Sequence, residues 1–212
     1  MVDREQTAAI LRRALTYPSA TPGRSFLYRD GAAADLPPDG PNLSGRTPLL
    51  AYGANAAPEA LAIKLASLPE EEMPVLRAEQ EGFDVVYSAH VSPYGAVPAT
   101  LHESPGTTAP VFVIHPTEEQ RALLAASEPN YDLVEIAGIA AYRSKHGALS
   151  INGSEVALAA VGSQGRTLPE LDEPAVLEHV RAQLAPDLTL ERFVYCCVKQ
   201  GGIKPLPKLG GL

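Results

Sequence analysis

Apolar positions along this chain follow two spacings. Between Arg4 and Leu15, Ile10, Leu11, Ala14 and Leu15 recur at helical intervals among Arg and Gln, which predicts an amphipathic helix packed as an outer layer. The stretch Glu173–Leu184, EPAVLEHVRAQL, predicts another. Elsewhere, short runs rich in β-branched and aromatic residues predict strands. They are Leu49–Tyr52, GFDVVYSAHV from Gly82, Val111–Ile114, YDLVEIAGIAAYR, ALSINGSEVALAAVG with a hairpin-type Asn152-Gly153 turn, and ERFVYCCVK. PYGAVPATLHESPG reads as a strand and turns interrupted by proline. Two more helices open at Pro58-Glu59 and at Pro116-Thr117-Glu118-Glu119, where proline and acids suit a first turn. The second runs through Leu123, Leu124 and Ala126, and Pro129 disfavours helical geometry at Glu128. That glutamate therefore sits at a break.

Five prolines and several glycines between Tyr17 and Pro48 mark an N-terminal extension over residues 1–47, with a short strand at Ser25–Tyr28. Residues 48–200 form the core domain, and 201–212 a Gly/Pro-rich tail. Strands outnumber helices and hairpin turns outnumber helical crossovers. The fold class is therefore α+β, with a mostly antiparallel, curved, barrel-like mixed sheet and a few packed helices. A dinucleotide loop, a P-loop and a nucleophile elbow are absent from the sequence.

With 212 residues, 45% hydrophobic and 20% charged, the chain can bury a core, and no apolar run approaches a membrane span. The start, MVDREQTAAILRRAL, lacks an apolar signal region, so a cytoplasmic location is expected. A net charge of −8 without a Lys/Arg cluster argues against nucleic-acid and anionic-membrane partners. Cys196 and Cys197, in a strand, would point to opposite faces as reduced thiols. The five histidines show no metal-ligand spacing, and no metal site is expected.

The stretch TPLLAYGANAAPEAL places a strand, a tight Gly turn and a helix start in succession, an arrangement that can aim several backbone N–H groups at one point. Further on come Tyr94-Gly95-Ala96-Val97-Pro98-Ala99-Thr100-Leu101, and then VFVIHPTEEQRALLAASEPNY, which contains Glu128 and ends at Tyr131. This order resembles the gamma-glutamylcyclotransferase-like proteins. They carry a Tyr-Gly-Ser-Asn loop after a first strand, a segment leading into Pro-Ala, and a strand and helix ending in a catalytic glutamate followed by tyrosine. Here the loop is Tyr52-Gly53-Ala54-Asn55, and Asn55 and Glu128 stand 73 positions apart. The resemblance covers roughly residues 48–136. It departs from the family at Ala54, which replaces the serine, and at AASEPNY, where the family commonly has Leu-Asp before the glutamate.

The resemblance implies an enzyme that releases 5-oxoproline and an amine or amino acid from a γ-glutamyl compound, with no metal or organic cofactor. Glu128 would be the catalytic acid/base. Tyr52, Gly53, Ala54, Asn55 and Tyr131 would bind substrate, the loop amides cradling its α-carboxylate. Two other readings stay open: a non-catalytic module that binds carboxylates or glutamyl groups on the same fold, and a structural or interaction domain. Taken singly, Tyr-Gly-Ala-Asn is a strand-to-helix turn with Gly for positive φ and Asn for capping. Glu128 alone is a solvated helix-end residue.

Overall fold

The computed structural model describes residues 4–68 and 71–210; the first three residues of the expected extension, Pro69-Glu70 and the last two of the tail lie outside the described residues. The first helix, α1 (Arg4–Leu15), precedes a hairpin of β1 (Phe26–Arg29) and β2 (Ala32–Ala34). Then come β3 (Leu49–Ala51), a 3₁₀ turn at Ala54–Ala56, and α2 (Pro58–Lys64). Two long strands follow, β4 (Met73–Tyr87) and β5 (Ala99–Ile114), and lead to α3 (Glu118–Ala126). The remainder comprises β6 (Tyr131–Ile136), β7 (Ile139–Ser144), the short strands β8 (Ser150–Ile151), β9 (Ser154–Glu155), β10 (Ala157–Leu158) and β11 (Glu170–Leu171), and helices α4 (Glu173–Leu184) and α5 (Leu190–Gln200).

Among the described residues the main sheet has nine strands, in the order β11-β10-β4-β5-β3-β7-β6, with the β1–β2 hairpin joined to the Met73–Val75 end of β4. It is mixed and mostly antiparallel, with parallel pairs only at β3–β7 and β10–β11. Its path has two ends, β11 and β6, and does not close on itself. Strand β3 is buried on both faces. Leu49 and Ala51 join a core with Phe26, Val75, Ile114, Leu61 of α2 and Leu124 of α3. Leu50 faces the opposite core, with Val85, Leu101, Val111, Ala14 of α1, Val176 and Val180 of α4, and Phe193 of α5. Helices thus cover both faces of the sheet, and β3 ends between the two layers.

Several expectations need correction. ERFVYCCVK is not a strand but the body of α5. Phe193, Val194 and Cys197 fall at i, i+1 and i+4, one helical face, and all three are buried. The Thr189 hydroxyl caps the start by accepting from Arg192 N, and Gly201 ends the helix at φ 78°. Cys197 is therefore buried while Cys196 is half-buried on an adjoining position, and burial pushes the Cys197 thiol up to about 12.

The segment PYGAVPATLHESPG and the run Val111–Ile114 are parts of one strand: β5 extends over 16 residues against β4. Pro105 does not end it because the ladder is already interrupted there. Glu81 pairs Thr108 and Phe83 pairs Glu103, so residues 104–107 bulge out opposite Gly82, where no ladder N–H is required of proline. YDLVEIAGIAAYR is likewise a hairpin, β6–β7, turning at Ala137-Gly138, both with positive φ. The tail runs along the body: Ile203 bridges to Val91 and Leu209 to Ile151. Among the described residues no helix is long and apolar enough to cross a membrane.

Candidate functional site

Three segments converge where β3 ends. The chain leaves β3 at Ala51, places Tyr52 in the same core as Leu50, and passes through Gly53 into the 3₁₀ turn. The amides of Ala56 and Ala57 bond back to the carbonyls of Gly53 and Ala54. Among the described residues, no backbone carbonyl takes the amides of Gly53, Ala54 or Asn55. Gly53 has φ −143° and ψ −139°, so positive φ is not the reason for a glycine. A Cβ there would lie 2.7 Å from the Tyr17 hydroxyl and 3.3 Å from Ala99 Cβ. Glycine lets the tyrosine that follows α1 press against the loop.

The second segment is the end of α3. Thr117 and Gln120 form a capping box at its start, and at its end the Ser127 hydroxyl donates to the Leu124 carbonyl. Glu128 follows outside the helix, its side chain only 13% exposed. The third segment is α2, whose last residue is Lys64. The Lys64 ammonium donates to Glu128 Oε1 at 2.6 Å and to Asn55 Oδ1 at 2.6 Å, and Asn55 Nδ2 donates to the same Glu128 oxygen at 3.1 Å. Loop asparagine, helix lysine and helix-end glutamate form a closed triangle. Both bonds to the carboxylate fall on Oε1.

That triangle lies in the wall of a cavity of about 520 Å³, within the range of small-molecule sites. Its lining includes all six residues the sequence nominated: Tyr52, Gly53, Ala54, Asn55, Glu128 and Tyr131. The tyrosines take up a different posture from one of hydroxyl contact with a ligand. Tyr131 donates its hydroxyl to the Ala99 carbonyl at 2.8 Å and sets its ring edge-on to His90. The Tyr52 hydroxyl donates to the Tyr142 carbonyl. Both therefore offer ring surface, with the phenol groups tied to backbone. Ala54 also lines the cavity, at the loop position where the resemblance has serine.

Sequence reasoning missed Lys64, Tyr17, His90 and Arg13, which line the same cavity, as does Tyr94, quoted in the second motif but not nominated for the site. Tyr17 accepts from Ala99 N at 2.8 Å, and its ring stacks on Tyr94 with centroids 6.3 Å apart. One backbone residue, Ala99, thus holds Tyr17 by its amide and Tyr131 by its carbonyl. Burial, more than any neighbouring charge, raises the pKa of Tyr17, Tyr52, Tyr94, Tyr131 and Tyr142, so these phenols are neutral at ordinary pH. Burial pushes His90 down to about 3, helped by His146 and Lys204, and its Nδ1 pairs with the Ser88 hydroxyl at 2.7 Å. The charged groups in the lining are then Arg13, Lys64 and Glu128. Among the described residues, no three of His, Cys, Asp and Glu gather as a metal site requires.

Such a site can bind a small polar molecule between aromatic walls, receive an anion at a turn with unused amides, and move a proton at a carboxylate. Comparison of the chain with protein-family models, with curated proteins and with solved structures found no match.

Proposed function

We propose that the chain is a gamma-glutamylcyclotransferase-like enzyme that cyclises a small γ-glutamyl compound to 5-oxoproline and releases an amine or amino acid. The observation that carries this reading is the 3.1 Å contact from Asn55 Nδ2 to Glu128 Oε1 in the wall of one cavity, joining two motifs 73 positions apart. A curved, barrel-like sheet and a cytoplasmic setting belong to the same proposal.

In this reading the amides of Gly53, Ala54 and Asn55 hold the substrate α-carboxylate. Glu128 takes a proton from the α-ammonium through Oε2, while Lys64 and Asn55 fix Oε1 and so aim the carboxylate. The freed amine attacks the γ-carbonyl carbon. A C–N bond closes the five-membered ring, the bond to the leaving nitrogen breaks as Glu128 returns its proton to that nitrogen, and the second proton of the ring nitrogen passes by the same carboxylate to the departing amine, which leaves as an ammonium. Nucleophile and electrophile already share one molecule, so the site's task is to fold the substrate into the reactive conformer against the rings of Tyr52 and Tyr131. Ala54 fits this scheme because the cradle uses its amide and not its side chain.

The experiment is incubation of the purified protein with a panel of γ-glutamyl amino acids and γ-glutamyl amines, with 5-oxoproline measured directly. Release from at least one member, abolished by Glu128→Gln, is expected. Silence across the panel would contradict the reading. One observation favours the second reading, a binding module: Lys64 holds the carboxylate in an ion pair. Thermal stabilisation by glutamyl ligands without turnover would be its signature.

A further inference from the structure

The lining carries two cations and one anion, and two of the three cancel: Lys64 is bound to Glu128. Arg13 is the remaining charge. Among the described residues it has no carboxylate partner. It is exposed to solvent at the cavity wall and rests on one aromatic ring. Its guanidinium carbon lies 4.8 Å from the centroid of the Tyr94 ring, and that ring stacks on Tyr17. The helix that bears it is anchored beside it. Ala14 is fully buried, and Tyr17, four residues beyond Arg13, is locked to Ala99 N. Gly95, next to Tyr94, has no room for a side chain: a Cβ would lie 2.9 Å from Val194, 3.0 Å from Val198 and 3.4 Å from Ala14. The 92–95 loop, α1 and α5 are thus packed together at this wall.

A guanidinium stacked on an aromatic ring, facing a cavity and lacking an anion, is suited to a planar carboxylate supplied from outside. The loop amides already serve one carboxylate of a γ-glutamyl compound, and Glu128 serves its ammonium. A second carboxylate on the leaving group would meet the remaining positive charge. We infer that Arg13 is a specificity-determining residue that selects γ-glutamyl amino acids, whose leaving group carries a carboxylate, over γ-glutamyl amines, which lack one; this rests on the cyclotransferase reading above. The N-terminal helix, outside the segment that resembles the family, would then supply the choice of substrate.

The test compares γ-glutamyl-alanine with γ-glutamyl-ethylamide, which differ only in that carboxylate, on the wild type, Arg13→Gln and Arg13→Lys. Both 5-oxoproline release and ligand binding by calorimetry are read. The wild type is expected to favour γ-glutamyl-alanine, and Arg13→Gln to reduce that preference by roughly ten- to a hundred-fold, the size of a lost hydrogen bond to a charged group. Arg13→Lys should retain part of it. Turnover in which both ligands lose equally in Arg13→Gln, or neither changes, would overturn the assignment and leave cyclisation standing. Binding with the Arg13-dependent preference but no 5-oxoproline would overturn cyclisation and leave the assignment standing. Failure to bind or turn over either ligand would overturn both.

Discussion

Two carboxylate–cation pairs in this molecule, one buried and one half-buried, invite comparison. Asp84, in β4, is fully buried and fully satisfied. Arg166 Nε reaches Oδ2 and Arg166 Nη2 reaches Oδ1, each at 2.8 Å, while the Ser163 hydroxyl and the Val85 amide also donate to Oδ1. Glu128 has one cation and one amide, both on Oε1, and a side chain that borders a cavity. The first pair uses a planar bidentate guanidinium, the second a single-point ammonium. A carboxylate with both oxygens held by one guanidinium pins a loop to a strand. A carboxylate held by one oxygen is positioned for use with the other.

The contrast predicts opposite patterns of damage. Arg166→Met should destabilise the fold by about 3–5 kcal/mol, because it strands a buried charge, measured as unfolding free energy in urea. Acid should attack the same pair. Burial alone would raise the Asp84 pKa, but hydrogen bonds from Arg166 and Ser163 and the guanidinium charge outweigh it and hold the carboxyl below its usual range. The unfolded chain therefore takes up that proton first, and the stabilisation, full above the ordinary carboxylate range, is lost as pH falls through the folded value. His90 acts with the same sign. Buried and neutral to about 3, it stabilises the fold above the ordinary histidine value of about 6.5 and loses that contribution progressively below it. Urea unfolding at stepped pH should show stability falling from about pH 6.5 downward, with the first part of the fall reduced in His90→Gln and the rest of it carried by His115 and His146, which burial also lowers; a flat wild-type profile would contradict the assignment.

At the cavity the damage should shift from stability to function. Gly53→Ala is expected to cost about 1–3 kcal/mol, since its methyl group must displace the Tyr17 hydroxyl, and to weaken ligand binding at the same time. Lys64→Met should change stability by about 1 kcal/mol or less, the pair being partly open to solvent, yet lower turnover by about ten-fold or more through a misaimed carboxylate. Glu173 provides the smallest effect. It is a buried carboxyl that accepts from Val97 N at 2.7 Å through Oε1, and burial raises its pKa well above the usual range. Its stabilising contribution is present below the ordinary carboxylate range and lost as pH rises through the folded value. Glu173→Gln keeps the acceptor and should leave stability at pH 7 unchanged or slightly raised.

The legibility of these regions in the sequence differed for physical reasons. Local signals located α1, α4 and the break at Glu128, because apolar period, capping residues and proline act over one or two turns. The strand assigned to ERFVYCCVK failed where β-favouring side chains met a helical burial pattern; Thr189 and Gly201 were the signals that could have decided it. Strand β5 was read in pieces because Pro105 and Gly106 mark a turn locally, whereas pairing to β4 accommodates them as a bulge. The six nominated residues share one cavity, but their partners were hidden. A lysine ending a short helix is ordinary on dipole grounds, and only the tertiary fold brings Lys64 to Glu128. Tyr17 and Arg13 lay in a segment that the resemblance did not reach.

The central claim is that Glu128 moves protons in the ring closure of a γ-glutamyl substrate. Its most direct test is 5-oxoproline release by the wild type and Glu128→Gln over the γ-glutamyl panel, with folding of both checked by thermal melts. Release by the wild type is expected, with a loss of about a hundred- to ten-thousand-fold in a folded Glu128→Gln, in line with removal of an acid/base group. Release undiminished in Glu128→Gln, or none from the wild type, would contradict it.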